Sequence, residues 1–495
     1  MRRIHGLIVT CFLLLFVGST GVMFGQDNTI SFSDSAILNR LKTDISMLAS
    51  DSLEGREAGT RGDTLASAYI IDRFLEIGLL PRGTEPGSYL QPFPYVATYH
   101  EWSENFLATD YDVYRFRKDF GMTSLSASDK VDAIILSVGY GVSDSLLWDD
   151  YSEVPDPSEK ALLMEIPLPK EYASDSSIVQ QQSIRFRVGQ AFRRGAAAVL
   201  LWNSDSPEYA SLFNFDDPEP MPGPVIFIAE PVARELRRLE GQPVRLGARI
   251  NRIETNCNNL LGWLDNHAAK TVIIGAHYDH VGLNQRGNAR CGADDNASGV
   301  AMMLELARFF SQRPDSSFNY LFVAFGAEEK GLIGSSYFCD HPIVPLDEVA
   351  YMCNFDMVGR LGAEGNRITL LATGTSPQWK PLYKSMPKFP FRVKRLKGPS
   401  SFSDQECFYK KSIPIFYLTT GLHPDYHTYR DRPNRINYTG MVPIAKFAEE
   451  FIVRTEKIGT IEFREVSPWT EFGSDLSYYF KQIGHLFDMP LQDMQ

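Results

Sequence analysis

The sequence predicts an α/β protein: a three-layer α/β/α sandwich around a mostly parallel mixed central sheet, with a β-rich domain inserted. Three observations carry this. From about residue 260 onward, short apolar runs alternate with helical patterns, as in a sheet covered on both faces. Between about residues 91 and 250 the texture changes to short apolar runs separated by turn clusters. The 495 residues carry 44% hydrophobic and 22% charged side chains, ordinary for globular protein. That length suits about three units, or one large domain carrying a smaller one.

The elements follow in chain order. Arg2 and Arg3 precede an apolar stretch over about 7–24, with small residues Gly18, Ser19, Thr20, Gly21 and Gly25 at its far end. This is the pattern of a secretory signal peptide over 1–25, cut between Gly25 and Gln26. The competing reading is an uncleaved anchor, because the run approaches spanning length. No later run is as long, so the expected product is exported, periplasmic or extracellular, without stable membrane insertion. Residues 37–80 read as helices, with Leu65, Ala68, Tyr69, Ile71, Phe74 and Leu75 at helical spacing. The Gly- and Pro-rich stretch 78–89 reads as a loop.

In the middle region the strand candidates are 133–137, 161–166, 197–202 and 225–228, with a helix over 184–194. Beyond residue 260 they are 271–276, 320–325, 350–355, 368–372 and 414–418. Helices are expected over 297–310, 335–339, 377–385 and 442–458. The organisation expected is a signal peptide (1–25), an N-terminal helical part (26–92), an insert (93–252), a second part of the main domain (253–458) and a tail (459–495).

The net charge of −12 argues against nucleic acid as a partner. The densest basic run, Lys388, Arg392, Lys394, Arg395 and Lys397, is short and reads as a solvated loop. Outside the leader the cysteines are Cys257, Cys291, Cys339, Cys353 and Cys407. They fit neither a metal knuckle nor a disulfide scaffold, at most two bridges can form, and the pairing is open. Cys353 lies in an apolar run and is expected to be buried.

Several apolar runs end abruptly in residues that carry chemistry. The first ends in His277-Tyr278-Asp279-His280, the second in Glu328-Glu329 and the third in Asp356. In open α/β sheets ligands bind beyond the carboxyl ends of the strands, so these residues should share one cleft. Asp294-Asp295-Asn296, between a strand and a helix, and Tyr426-His427, after the last strand, join them. Taken singly, the pieces have bland readings: a structural His-x-Asp, a solvated Glu pair, a helix cap. Their occurrence together, in order, at strand ends favours a site.

Imidazole and carboxylate donors suit Zn²⁺. Five candidate ligands exceed what one tetrahedral ion needs, and two ions sharing a carboxylate would use all of them. Asp295 is the natural bridge; His277 and Asp356 would complete one ion, Glu329 and His427 the other. On an extended strand Asp279 shares a face with His277 and can hydrogen-bond its free ring nitrogen. Glu328, beside a ligand, is the candidate general base. It would take a proton from the attacking water and return it to a leaving amine.

Five stretches resemble the co-catalytic zinc exopeptidases, which include bacterial leucyl-type aminopeptidases and glutamate carboxypeptidase II. They are residues 276–282, 292–301, 325–335, 354–360 and 426–431. The resemblance implies that His277, Asp295, Glu329, Asp356 and His427 bind two Zn²⁺ ions and that Asp279 and Glu328 are catalytic. Residues 53–62 look like the family's N-terminal helical segment, and the insert looks like a protease-associated domain. One departure is Ser403-Asp404-Gln405, where relatives often carry Ser-Asp-His. Gln405 cannot ionise as His does, but no ligand position is lost.

The function implied is an exported zinc-dependent exopeptidase acting on peptides, foremost an aminopeptidase. Alternatives are a glutaminyl cyclase or carboxypeptidase of the same fold, or a binding protein that has lost catalysis. The last would be expected to lack ligands, and here all five are present.

Overall fold

The computed structural model describes residues 33–467, apart from 101–103, 117, 145–147, 153, 170–182, 205–218, 284–286, 314–315, 364 and 400–402. The expected signal peptide and most of the expected tail lie outside the described residues. No described helix is long and apolar enough to cross a membrane.

The central sheet has nine strands: β1 (Leu80–Pro81), β2 (Leu90–His100), β3 (Ile250–Leu264), β4 (Thr271–His277), β5 (Asn319–Phe325), β6 (Val349–Phe355), β7 (Arg367–Leu371), β8 (Arg392–Arg395) and β9 (Ile415–Thr419). Their order is β1-β3-β5-β4-β6-β9-β7-β8, with β2 also on β3. The central run β5-β4-β6-β9 is parallel, as is β7-β8, and the flanking pairs are antiparallel.

Alternation of side chains along the strands builds two cores. Val272, Ile274 and Ala276 face one side with Tyr320, Phe322 and Ala324. Ile273 faces the other side with Leu321, Val323 and Phe325. β4, β5 and β6 are buried along their whole length, which explains their unbroken apolar runs. Helices α1 (Asp34–Leu48), α2 (Arg61–Ile77), α3 (Gly299–Ser311), α5 (Trp379–Ser385) and α7 (Tyr438–Thr455) cover the first face. α4 (Ile333–Asp340) and α6 (Gln405–Lys410) cover the second.

The helices form for local reasons. In α1, Ile37, Leu41, Ile45 and Leu48 make one buried stripe, and Ser33 caps the first turn through Ala36 N. In α2, Ala66, Ile70 and Phe74 do the same, and Gly78 at φ +85° ends the helix.

A second sheet of eight strands lies within residues 93–252, the stretch expected from the sequence to be an insert. Its centre, Asp129–Ser137, Lys160–Glu165, Ala198–Trp202 and Val225–Ile228, is parallel. Helices Ile184–Arg193 and Glu230–Arg238 accompany it, and it has hydrophobic clusters of its own. The long antiparallel ribbon of β2 and β3, paired from Ile250↔His100 to Leu260↔Leu90, links the two sheets.

Two sequence expectations need correcting. The basic run is not simply a loop, because Arg392–Arg395 forms the edge strand β8 against β7. Its charged side chains leave the sheet's open edge in solvent. The helix expected from residue 297 starts at Gly299. Residues 293–298 form an irregular turn in which Asp295 has φ −105° and ψ +96°. Cys339 of α4 and Cys407 of α6 form a disulfide, while Cys257, Cys291 and Cys353 are buried.

Candidate metal centre

The strand ends set the positions. His277 is the last residue of β4, Glu328 and Glu329 follow β5, and Asp356 follows β6. Asp295 lies in the turn before α3, and His427 in the loop after β9. Ala327, Met357 and His427, beside or within these loops, hold left-handed backbone at φ +54°, +56° and +55°. Such conformations cost roughly 1–3 kcal/mol each and gather at functional sites.

The seven residues named from sequence meet in one place. Asp295 sits between the two histidines: its Oδ1 is 3.4 Å from His277 Nε2 and its Oδ2 is 3.0 Å from His427 Nε2. His277 Nε2 is 3.5 Å from Asp356 Oδ1 and 4.0 Å from Glu328 Oε2. His427 Nε2 is 3.1 Å from Glu329 Oε2. Two groups have the geometry to hold a cation, with donor atoms within 4.8 Å of one another: His277, Glu328 and Asp356, and His280, Asp295, Glu329 and His427.

The donors fit metal ions better than one another. Asp295 Oδ2 and His427 Nε2 are buried and close, yet neither makes a well-formed hydrogen bond. Donors on a tetrahedral ion with bonds of about 2.0–2.2 Å lie roughly 3.3–3.6 Å apart, near the spacing here. Carboxyl groups are also in excess. Burial, reinforced by Glu329, Asp404 and Asp356 and opposed by His277, holds Glu328 well above the ordinary carboxylate range. Burial pushes Asp279 up to about 8 and Asp404 to about 7. Cations would offset this repulsion.

Asp279 takes a different role from the one expected. Its Oδ1 is 3.8 Å from His277 Nδ1, beyond hydrogen-bond distance, and that nitrogen lies 3.3 Å from the backbone carbonyl of Asp279 instead. Only an extended strand puts Asp279 and His277 on one face, and β4 ends at His277. The Asp279 carboxylate instead accepts from Glu328 N (2.9 Å, Oδ1) and Glu329 N (3.2 Å, Oδ2). It holds the loop that presents both glutamates.

Further residues support the site. Arg56 is fully buried, and its guanidinium donates to the carbonyls of Leu48, Tyr278, Cys291 and Gly292. It therefore ties the end of β4 to the loop before Asp295. Asp294 accepts from Gly359 N and lies 3.1 Å from His423 Nε2, while Asp431 accepts from the backbone of Asp294 and Asp295. Gln405 accepts from Asn354 Nδ2 at 2.8 Å, two residues before Asp356, so the departure from Ser-Asp-His is filled by a buried hydrogen bond.

Sequence reasoning gave no role to His280, Arg56 or Asp404. His280 had a signal, three residues after His277 in the same run. The carbonyls that Arg56 reaches are up to 236 residues away, and nothing local announces them.

The open α/β sheet thus carries two carboxylate–imidazole groups beyond its strand ends, each able to hold a cation. Residues 259–452 match the model described as "Peptidase family M28". The chain is 32% identical over 168 residues to aminopeptidase YwaD of Bacillus subtilis, covering 33% of this chain and 35% of that one. It is 26% identical over 287 residues to an aminopeptidase of Pseudomonas aeruginosa, covering 54% and 49%. The chain thus spans about a third to a half of these relatives' lengths. The solved aminopeptidase from Aneurinibacillus sp. strain AM-1 shares the fold, with a TM-score of 0.63, 21% identity and coverage of 88% of this chain and 98% of that one.

Proposed function

We propose that the protein is an exported aminopeptidase that works with two zinc ions. The observation that carries this is the placement of Asp295, one oxygen toward His277 and the other toward His427. His277, Asp295 and Asp356 would hold one ion; Asp295, Glu329 and His427 would hold the other. Bound there, the ions would polarise the scissile carbonyl and acidify water. Glu328, beside the first group, takes the proton of the attacking water and passes it to the leaving amine. Asp279 is a positioning residue that fixes the Glu328–Glu329 loop through two backbone N–H groups. Carboxyl groups still outnumber what two divalent ions offset, which favours a substrate's α-ammonium over its carboxylate. The 93–252 insert, read as protease-associated, would flank the cleft.

Zinc analysis of purified protein should give about two ions per chain, and chelation should abolish hydrolysis of aminoacyl chromogens. Glu328→Gln should keep the zinc and lower kcat at least ~100-fold, the scale of general-base catalysis. Acetylating a peptide's N-terminus should block cleavage, while amidating its C-terminus should not. Full activity without metal would end this reading, and the opposite blocking pattern would point to a carboxypeptidase. Export predicts a mature N-terminus at Gln26.

A further inference from the structure

The two ligand groups differ in a way the five named ligands do not explain. His280 is fully buried, and its Nδ1 is 2.8 Å from Glu329 Oε1 and 3.7 Å from Asp295 Oδ2. Its donor atom lies within 4.8 Å of those of Asp295, Glu329 and His427. Glu329 thus stands between two imidazoles, with Oε1 toward His280 and Oε2 toward His427.

The ring is held in place. Its backbone N–H donates to Arg56 O at 3.1 Å. One ring edge packs on Gly292, where a Cβ would come within 2.6 Å of His280 Cγ and Cδ2. Gly292 also has φ +56°, so any larger residue is doubly disfavoured there. Nε2, on the far side, has no hydrogen-bond partner. The nitrogen that faces polar atoms is Nδ1, and what it faces is the ligand set.

We propose that His280, through Nδ1, is a fourth protein ligand of the ion held by Asp295, Glu329 and His427, which closes that site. Two imidazoles and two carboxylates complete a tetrahedron, the arrangement of zinc sites that have no open position. The group of His277, Asp295 and Asp356 keeps three protein ligands, with Glu328 beside its remaining position. The two ions then divide the work: the His280 ion is retained and orients Asp295, and the other is the exchangeable, reactive one. This inference rests on the proposed binding of two zinc ions.

The test counts imidazoles around zinc by X-ray absorption. The His277→Ala variant leaves the His280 ion alone, and its zinc should show two imidazoles. Adding His280→Ala should reduce that to one and weaken retention against a competing chelator by more than ~100-fold, beyond the 10–100-fold typical of an outer-shell partner. If His277→Ala misfolds, the fully loaded wild type serves: three imidazoles for two ions are expected, falling to two in His280→Ala. One imidazole per zinc in His277→Ala, or an unchanged count in His280→Ala, would overturn the assignment and leave His280 a hydrogen-bond donor to Glu329. A wild-type protein that binds no zinc would instead refute the proposed function.

Discussion

The central sheet and the sheet of the insert are built alike. Each has a parallel centre of buried aliphatic strands accompanied by helices. Each also secures the loops at its strand ends with the same pair of devices. In the central sheet, Arg56 gathers carbonyls from the ends of two loops, and Asp279 takes two backbone N–H groups. In the insert, buried Arg187 gathers the carbonyls of Tyr140, Glu165 and Ile166, and Asp150 takes the N–H groups of Tyr140 and Val142. Yet among the described residues metal-ligating groups occur only at the ends of the central sheet. The shared architecture rigidifies strand ends, and what those ends carry decides the chemistry.

The largest effect expected from this difference concerns Asp295. Asp295→Ala removes the residue that faces both histidines. Bound zinc should drop well below that of the wild type, and kcat/KM should fall at least ~1,000-fold, equivalent to several kcal/mol of barrier. Glu165→Ala, at a strand end of the insert, should leave both within about twofold, since Glu165 belongs to neither ligand group. An Asp295→Ala protein that kept its full zinc would break the comparison.

The buried arginines come next. Replacing either with Met leaves several carbonyls without donors, at roughly 1–3 kcal/mol each. Urea unfolding should show a loss of about 3–5 kcal/mol for each variant, the upper range for single substitutions. The functional outcomes should part: Arg56→Met weakens zinc retention because the loops of His280 and Gly292 are released, and Arg187→Met does not. Equal zinc retention in both would mean that the Arg56 clamp is structural only.

How much of this was legible in the sequence follows from where each interaction begins and ends. The strand-end residues could be read because a fully buried parallel strand is an unbroken apolar run, and its end is visible as the first charged residue. The ribbon of β2 and β3 could not be read. Pro92 and Pro94 argue against a strand, but among the described residues β2 pairs only with β3, so an edge position tolerates them. The polar stretch Asn256, Asn258 and Asn259 hides β3 in the same way. β8 was hidden by its charges, which an edge strand keeps in solvent. The role of Asp279 differs from its spacing because β4 ends at His277 and strand alternation does not reach two residues further. Arg56 gains its meaning only from distant partners.

The smallest and most discriminating comparison is between the two aspartates. Asp279 accepts its two N–H groups on different oxygens, Glu328 N on Oδ1 and Glu329 N on Oδ2. An amide has one acceptor oxygen, so Asp279→Asn must abandon one of them, at about 1–3 kcal/mol. The loop carrying Glu328 should shift, and kcat should fall about 10–100-fold, the scale seen when outer-shell partners are lost. Asp150 accepts both N–H groups on Oδ2 alone, so Asp150→Asn can keep both through its single oxygen. Its activity should be unchanged and its stability at neutral pH within about 1 kcal/mol. Its pH dependence should change in a defined sense. Burial, opposed by those two N–H groups and by Arg187, raises the Asp150 carboxyl above its ordinary 3.8, so the folded protein binds that proton more tightly than the unfolded chain. The Asp150 contribution to stability therefore falls as pH rises from 3.8 through the folded value, and Asp150→Asn should flatten the melting curve over that window. A loss of kcat in Asp150→Asn, or none in Asp279→Asn, would show that the chemistry does not depend on which sheet the staple holds.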